Sequence, residues 1–575
     1  MTHITRRFSA LFLFILFIAA TMVNAQDKAA AIDEMMKLHN QYGHFNGSVL
    51  VAEKGRVIYK KGFGMANMEW NIPNDPDTKF RLASITKQFT AALILQLAEQ
   101  GKIKLDGKLT DYLPDYRKDT GDRITVHQLL NHTSGIPNYT SVPNFFKEDS
   151  RDAYTPADFV KKFAVGDLEF EPGTKFNYNN SAYSILGAII EKVTGKSYAQ
   201  VMQENIFTPV GMKNSGYDTH SALIPKRATG YTKTRKGYIN ADYLDMSIPY
   251  AAGSLYSTAE DLYLWDQALY GDKILSAKSK ELMFKPNLEN YGYGIGNQVF
   301  TLSDKKTLVP TVGHSGGIHG FSTHIIRFTS DKHLIVLLDN SAQGGQQVRM
   351  INAIANILYG QPFDSPKRLI GETVLSTLEA QGIDAALQQY RDLKAASSKD
   401  YDFGEGELNL AGYELLRTGK IKEAGEIFKL NVEMFPNAAN PHDSLGEYYA
   451  TGGQKDLAIK YYKRALEIDP KFPSAIAALK RLENPAITVD PKIYESYTGQ
   501  YQIAPNFILT ITTANGKIFG QATGQPQFEL DPRSETKFAI AAIGAEIDFI
   551  KDASGKVTEL ILHQGGRDTP AKRLP

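Results

Sequence analysis

Between Asn46 and Gly64 the chain alternates apolar and polar positions, with Val49-Leu50-Val51 and Val57-Ile58-Tyr59 on either side of Lys54-Gly55. Two alternating runs joined by a two-residue turn predict a β-hairpin, so the first folded unit opens with strands. The period then lengthens. Phe89, Ala92, Leu93 and Leu97 recur at helical spacing, and Gly101 stands where a helix end calls for a left-handed residue. This pattern predicts a helix that begins near Ser84 and keeps these residues on one face.

Beyond the Pro-rich stretch from Gln361-Pro362 to Ser365-Pro366 the pattern is helical and repeats itself. Gly412 and Gly446, Gly419 and Gly453, Ala424 and Ala458, and Pro436 and Pro470 are each separated by 34 residues, the period of tetratricopeptide repeats. A helix pair of this kind cannot bury its apolar face alone, so small residues such as Ala424 are expected to stack against bulky ones such as Phe428. Leu369 to Leu393 and Pro473 to Leu482 are expected to add a degenerate unit and a capping helix, which gives a repeat module over 366–485. After Asn484-Pro485 the pattern turns strand-like, through Phe507-Ile508-Leu509-Thr510-Ile511, an Asn515-Gly516 hairpin signal, Lys517-Ile518-Phe519 and Glu559-Leu560-Ile561-Leu562. A small antiparallel β domain over 490–575 is expected.

A chain of 575 residues exceeds what one hydrophobic core can organise, which agrees with three domains. Hydrophobic residues at 42% and charged residues at 22% are the composition of a globular protein. The 64 Lys and Arg balance 63 Asp and Glu, so no long-range field attracts nucleic acid or an anionic membrane, and neither is expected as a partner. Residues 1–25 read as a secretory signal: Arg6 and Arg7, an apolar run from Phe8 to Ala20, and Val23-Asn24-Ala25 before a mature start at Gln26. The run is shorter than the roughly 20 residues of a bilayer span. A periplasmic or secreted protein with no span after cleavage is expected. There is no Cys, which excludes disulfides and thiolate metal sites, so each domain must rest on its core.

The first domain, taken as 26–362, carries the chemistry. Ser84-Ile85-Thr86-Lys87 puts a hydroxyl and an amine three residues apart, on one side of a helix's first turn. A Ser hydroxyl attacks a carbonyl only when a base takes its proton, and a Lys can be that base once burial lowers its pKa. The N–H groups of the helix start favour developing negative charge.

The flanking residues, Asp77 to Ala83 and Gln88 to Ala92, resemble the class C β-lactamase-like serine hydrolases of the β-lactamase and penicillin-binding protein superfamily. The resemblance runs over about residues 32 to 360. Phe176-Asn177-Tyr178-Asn179-Asn180-Ser181-Ala182-Tyr183 matches the family's Tyr-x-Asn element. It implies that Tyr178, its pKa lowered by the neighbouring ammonium, shuttles a proton to the leaving group, and that Asn180 donates hydrogen bonds to Lys87 and toward the substrate. The family's Lys-Thr-Gly element appears as His314-Ser315-Gly316, followed by Gly317. A His-x-Gly version occurs in family members described as peptidases and esterases, so the lost Lys weighs against β-lactam turnover and not against catalysis. The resemblance further implies that this element lies on an edge strand and that the oxyanion is held by the backbone N–H groups of Ser84 and Gly317. The implied fold is an α/β domain, an antiparallel sheet flanked by helices. Leu129 to Pro137 and Ala252 to Thr258 are also family-like and are read as scaffold loops.

Two rival readings exist. Gly313-His314-Ser315-Gly316-Gly317 satisfies Gly-x-Ser-x-Gly, the nucleophile elbow of α/β-hydrolases, but an elbow needs a helix after its Ser and Phe321 to Phe328 read as a strand. His314, His319 and His324 recur every fifth residue, yet five residues apart on a strand is opposite faces, so no metal and no cofactor are expected. The expected reaction is hydrolysis of an ester or amide, in a small molecule or peptide, through an acyl-Ser84. D-amino-acid peptides come first among substrates, then small esters, then β-lactams. The alternative from another class is a ligand sensor that acylates, hardly turns over, and signals to a protein partner through its repeats.

Overall fold

The computed structural model describes residues 27–575 apart from 343, 484–488, 506, 526, 541–544 and 565–566. The expected signal segment 1–25 lies outside the described residues. The chain divides into two compact units, Met1–Arg368 and Leu369–Pro575.

In the first unit, β1 (Gly47–Glu53) and β2 (Arg56–Phe63) form the expected hairpin, turned by Lys54 and Gly55 at φ of 51° and 74°. Both turn residues are left-handed, which gives the turn a twist that matches the strands. The hairpin joins β3 (Gly296–Thr301), β4 (Leu308–Ile318), β5 (Phe321–Phe328) and β6 (His333–Asp339) in one antiparallel sheet of order β3-β4-β5-β6-β1-β2. Alternate side chains serve two cores. Val49 and Val51 of β1 and Ile335 and Leu337 of β6 face one core, to which α1 (27–41) contributes Ile32, Met35 and Met36. Leu50, Leu334, Val336 and Leu338 face the other, which contains α2 (Thr86–Glu99) and α3 (Asn180–Thr194). The central strands are therefore apolar without interruption, as strands covered on both faces must be.

The helix α2 departs from its expected one-sided burial. Every residue from Thr86 to Leu95 is buried. Its polar members are buried because each is bonded: the Thr86 Oγ1 accepts from Leu255 N, the Thr90 hydroxyl meets the Ala251 carbonyl, and the Gln88 Oε1 accepts from Trp265 Nε1 and Arg327 Nη1. Gly101 follows α2 at φ 69°, as its position predicts. The guanidinium of Arg327, on β5, is tied by its Nε to Asp266 Oδ1 at 2.8 Å, with both side chains almost wholly buried.

β4 meets β3 only from Leu308 to Gly313, because β3 begins at Gly296, opposite Gly313. His314 to Ile318 pair with β5 on one side only. Here Gly316 lies against the backbone of Leu82 and the Thr323 hydroxyl, which itself donates to the Leu82 carbonyl at 2.8 Å. The sheet edge is thus pressed onto the turn that carries Ser84.

In the second unit the repeat helices run Glu405–Arg417, Ile421–Met434, Ala439–Thr451, Lys455–Ile468 and Pro473–Glu483. The small partner of Phe428 is Gly412 of the preceding helix rather than Ala424, which shares Phe428's own helix. A Cβ at Gly412 would come within 2.5 Å of the Phe428 ring, and one at Gly446 within 2.9 Å of the Tyr462 ring. The second contact is the first moved on by one repeat. The terminal domain is a nine-stranded antiparallel sheet whose outermost strands, Gln527–Glu529 and Asp531–Pro532, are separated by Leu530 alone. The sheet therefore curls into a nearly closed barrel, with the Asn515-Gly516 turn left-handed at both residues. Among the described residues no helix is long and apolar enough to cross a membrane.

Two stability measurements test this packing. Gly316→Ala, whose Cβ would collide with Leu82 and Thr323, should lose about 1–3 kcal/mol in chemical denaturation of the first unit. Gly317→Ala, with open space at its Cα, should stay within about 0.5 kcal/mol of wild type. Asp266→Asn should cost about 3–5 kcal/mol, because it leaves Arg327 charged and buried without its partner; an unchanged midpoint would mean that the pair is not formed in solution.

Candidate active site

Ser84 belongs to a 3-10 turn, Ala83–Ile85, that leads directly into α2. Ala83 has φ of 50°, a left-handed conformation that costs an alanine roughly 1–2 kcal/mol. The turn is held there by neighbours: Leu82 N donates to the Leu255 carbonyl, and Thr323 and Gly316 close on it from the sheet.

One turn along, Lys87 is fully buried. Its Nζ lies 3.0 Å from Ser84 Oγ, 2.8 Å from Asn180 Oδ1 and 2.9 Å from the Ala252 carbonyl oxygen. Desolvation holds its pKa well below the usual lysine range, which favours the neutral amine. A neutral amine has two N–H donors and one lone pair. As an ammonium Nζ donates to all three oxygens; as a neutral amine it keeps its two N–H groups on the carbonyl oxygens, which can only accept, and turns its lone pair to Ser84 Oγ. This is the geometry of a base poised to take the serine proton.

Asn180 acts on Lys87 as an acceptor through Oδ1, opposite to the donor role that the resemblance implied. It stands at the start of α3, whose N-cap is Asn179: the Asn179 side chain accepts from Ala182 N, and its backbone N–H donates to His132 Nδ1. Asn138 completes the clamp, donating from Nδ2 to the Tyr178 carbonyl and accepting at Oδ1 from Asn180 N.

The Tyr178 hydroxyl is buried and has no hydrogen-bond partner among the described residues. Burial pushes its pKa up, and the nearby Ser84 hydroxyl pulls it only partly back. The expected depression by an ammonium is absent for a simple reason. Burial is the dominant influence on the phenol, and it favours the neutral form. The Tyr178 and Tyr183 rings face Nζ at 4.9 and 5.5 Å, close enough to stabilise an ammonium once a proton arrives.

His314 is engaged at both ring nitrogens. Nδ1 lies 2.5 Å from the Ser315 carbonyl and must carry the proton there, so Nε2 accepts from the Tyr291 hydroxyl at 2.8 Å. Desolvation, and then Lys87, push its pKa down to about 3. His314 therefore replaces the family lysine with an uncharged ring. Its strand is second in the sheet rather than outermost, but β3 stops short, so His314 to Gly317 form a local free edge as the resemblance implied. Ser315 is exposed within this strand-to-strand hairpin, and no helix follows it as an elbow requires. His319 Nδ1 faces the Asp242 carbonyl, away from His314's partners, and no group of three or more His, Asp or Glu among the described residues could hold a metal.

Three contributors escaped the sequence reading. Ala252 acts through its carbonyl, which no residue type announces. His132 lies in a segment read as scaffold, yet its buried ring is 4.4 Å from that of Tyr178 and 4.8 Å from that of Tyr291. Tyr291 was one of 30 tyrosines with no motif to single it out. The signal for His132 was present in the family-like Asn131-His132-Thr133 run.

The chain is similar to known proteins over much of its length. The family model described as Beta-lactamase matches residues 29–358, a tetratricopeptide repeat model matches 442–472, and a domain of unknown function, DUF3471, matches 483–572. Penicillin-binding protein 4* of Bacillus subtilis (strain 168) is 34% identical over 364 residues, spanning 60% of this chain and 79% of that protein. Protein flp of Staphylococcus aureus (strain MW2) is 30% identical over 329 residues, 55% of this chain and 63% of that protein. The crystal structure of D-amino acid amidase from Ochrobactrum anthropi SV3 complexed with L-phenylalanine amide superposes with a TM-score of 0.51 at 26% identity, covering 58% of this chain and 99% of that one. With the family model matching more than half of its length, and matching the part that holds Ser84 and Lys87, the chain belongs to the beta-lactamase family.

Proposed function

We propose that this protein is an exported serine hydrolase that cleaves esters and amides through an acyl-enzyme on Ser84. The observation that carries the proposal is the buried Lys87 Nζ, 3.0 Å from Ser84 Oγ and held there by two carbonyl acceptors. In the first step Lys87 Nζ takes the Ser84 proton while Oγ bonds to the substrate carbonyl carbon. The carbonyl oxygen becomes an oxyanion and accepts from the backbone N–H groups of Ser84 and Gly317, each such donor worth roughly 2.7–4 kcal/mol. The new ammonium now lowers the pKa of Tyr178, so the depression absent at rest arises when it is needed. Tyr178 gives its proton to the leaving oxygen or nitrogen as the bond to the carbonyl carbon breaks, and Lys87 returns a proton to Tyr178. Water then attacks the acyl-Ser84 ester, losing its proton to the same pair, and Ser84 is released.

The uncharged His314 supports neutral acyl substrates. With the names of the relatives, penicillin-binding protein and D-amino acid amidase, it supports D-amino-acid amides and peptides first, small esters next and β-lactams last. The free edge of β4 supports an extended substrate bound along it. The signal-like residues 1–25 support export to the periplasm or medium.

Release of p-nitrophenol from an activated short-chain ester tests the mechanism. Wild type should show a burst followed by steady turnover, and Ser84→Ala should lose at least about a thousandfold in both phases. Tyr178→Phe should lose about 10²–10⁴-fold in kcat, and Ser315→Ala should remain active. Loss in Ser315→Ala with retention in Ser84→Ala would sink the proposal, and a burst with negligible turnover would identify the sensor instead.

The pH profile tests the base. An ordinary lysine becomes an amine only above about pH 10.4, whereas burial lowers the Lys87 pKa well below that. Protonation of the base removes activity, so kcat/KM for a neutral ester should hold level through the alkaline range and decline only as pH falls through the lowered Lys87 pKa. A rate still climbing toward pH 10 would mean that Lys87 rests charged.

A further inference from the structure

The repeat module contains a cavity of about 540 Å³ bordered by the helices Ala439–Thr451, Lys455–Ile468 and Pro473–Glu483. Two carboxylates one helical turn apart, Asp443 and Glu447, line it. Asp443 is only 7% exposed. Its Oδ2 accepts from Ser474 Oγ at 2.7 Å, while Oδ1 is buried with no hydrogen-bond partner. Glu447 is exposed and accepts from the Tyr413 hydroxyl at 2.7 Å.

Among the described residues no cation pairs with either carboxylate. Arg481 borders the same cavity, but its Nε bonds the Ala477 carbonyl within its own helix. A buried carboxylate oxygen without a donor is costly, and it becomes favourable when a cation with N–H donors fills the space before it. Burial, and more weakly Glu447, raise the Asp443 pKa despite Ser474. Beside Thr451, the rest of the wall comes from Ala450, Ala478, Leu482 and the ring of Tyr462, which give it an apolar stretch.

We propose that this cavity binds a lysine side chain of a peptide partner, with the ε-ammonium between Asp443 and Glu447 and the methylene stem along Ala478, Leu482 and Tyr462. The stem is what selects lysine. A peptide's terminal amine has the charge but nothing to cover the apolar wall, and norleucine has the stem without the charge. The site is independent of Ser84 and of the reaction proposed for it.

Ligand-observed NMR titration of the full-length protein tests this with three probes: Nα-acetyl-lysine methylamide, Nα-acetyl-norleucine methylamide and alanine methylamide. The lysine derivative should bind at least about tenfold more tightly than either of the others, the worth of a hydrogen bond to a charged group. Asp443→Asn and Glu447→Gln should each weaken lysine binding while Ser84-dependent ester hydrolysis is unchanged. Should Asp443→Asn unfold the repeats, the exposed Glu447→Gln and the comparison of probes on wild type still decide. Equal binding of norleucine or of alanine methylamide, or full affinity in Glu447→Gln, would overturn the proposal.

Discussion

The two hydrogen bonds that Lys87 gives to Asn180 Oδ1 and the Ala252 carbonyl are the constraint on which the reactive centre depends. Burial favours the neutral amine, but a neutral amine can turn in any direction. Two acceptors that cannot donate leave it one orientation, and that orientation faces Ser84. The acceptors come from places far apart in the chain, the start of α3 and the turn Tyr250–Gly253. Much of the domain's architecture can be understood as bringing these two oxygens to α2.

The sheet supplies the opposing wall. Gly316 and Thr323 grip the Leu82–Ala83 backbone, and the Asp266–Arg327–Gln88 network anchors α2 through Gln88. Backbone strain collects where these supports converge. Ala83, beside the nucleophile, and Tyr250, two residues before the Ala252 carbonyl, both have positive φ, at 50° and 37°. Residues held in such regions cost of order 1–3 kcal/mol each and persist only when their surroundings over-determine them.

The parts of this arrangement that were legible in the sequence are those that residue identity alone dictates. Gly55 and Asn515-Gly516 announced hairpins because glycine and asparagine readily accept left-handed turns, and the 34-residue period announced repeats because each unit must match its neighbour. Ser84 and Lys87 were readable from helical spacing, and Tyr178 and Asn180 from their motif. What was misread depends on solvation and direction. The sequence holds a lysine beside a tyrosine, but only the folded interior tells that burial lowers the pKa of the lysine and raises that of the phenol. An asparagine presents a donor and an acceptor with equal readiness, and the partner decides which is used. Thr86, Gln88 and Thr90 look like the solvent face of an amphipathic helix until their bonds to Leu255, Trp265 and the Ala251 carbonyl come into view.

The left-handed alanine ahead of Ser84 gives the nucleophile an unusual kind of fragility. Its backbone does not favour the position it occupies, so the placement of the hydroxyl belongs to the clasp between strand and turn and not to the turn itself. Mild heat or denaturant that loosens the clasp would let Ala83 relax to a right-handed conformation and carry the serine out of line with its amine, while sheet and helices stay intact. Such a protein would fall silent well before it unfolds, and would recover as soon as the clasp closed again.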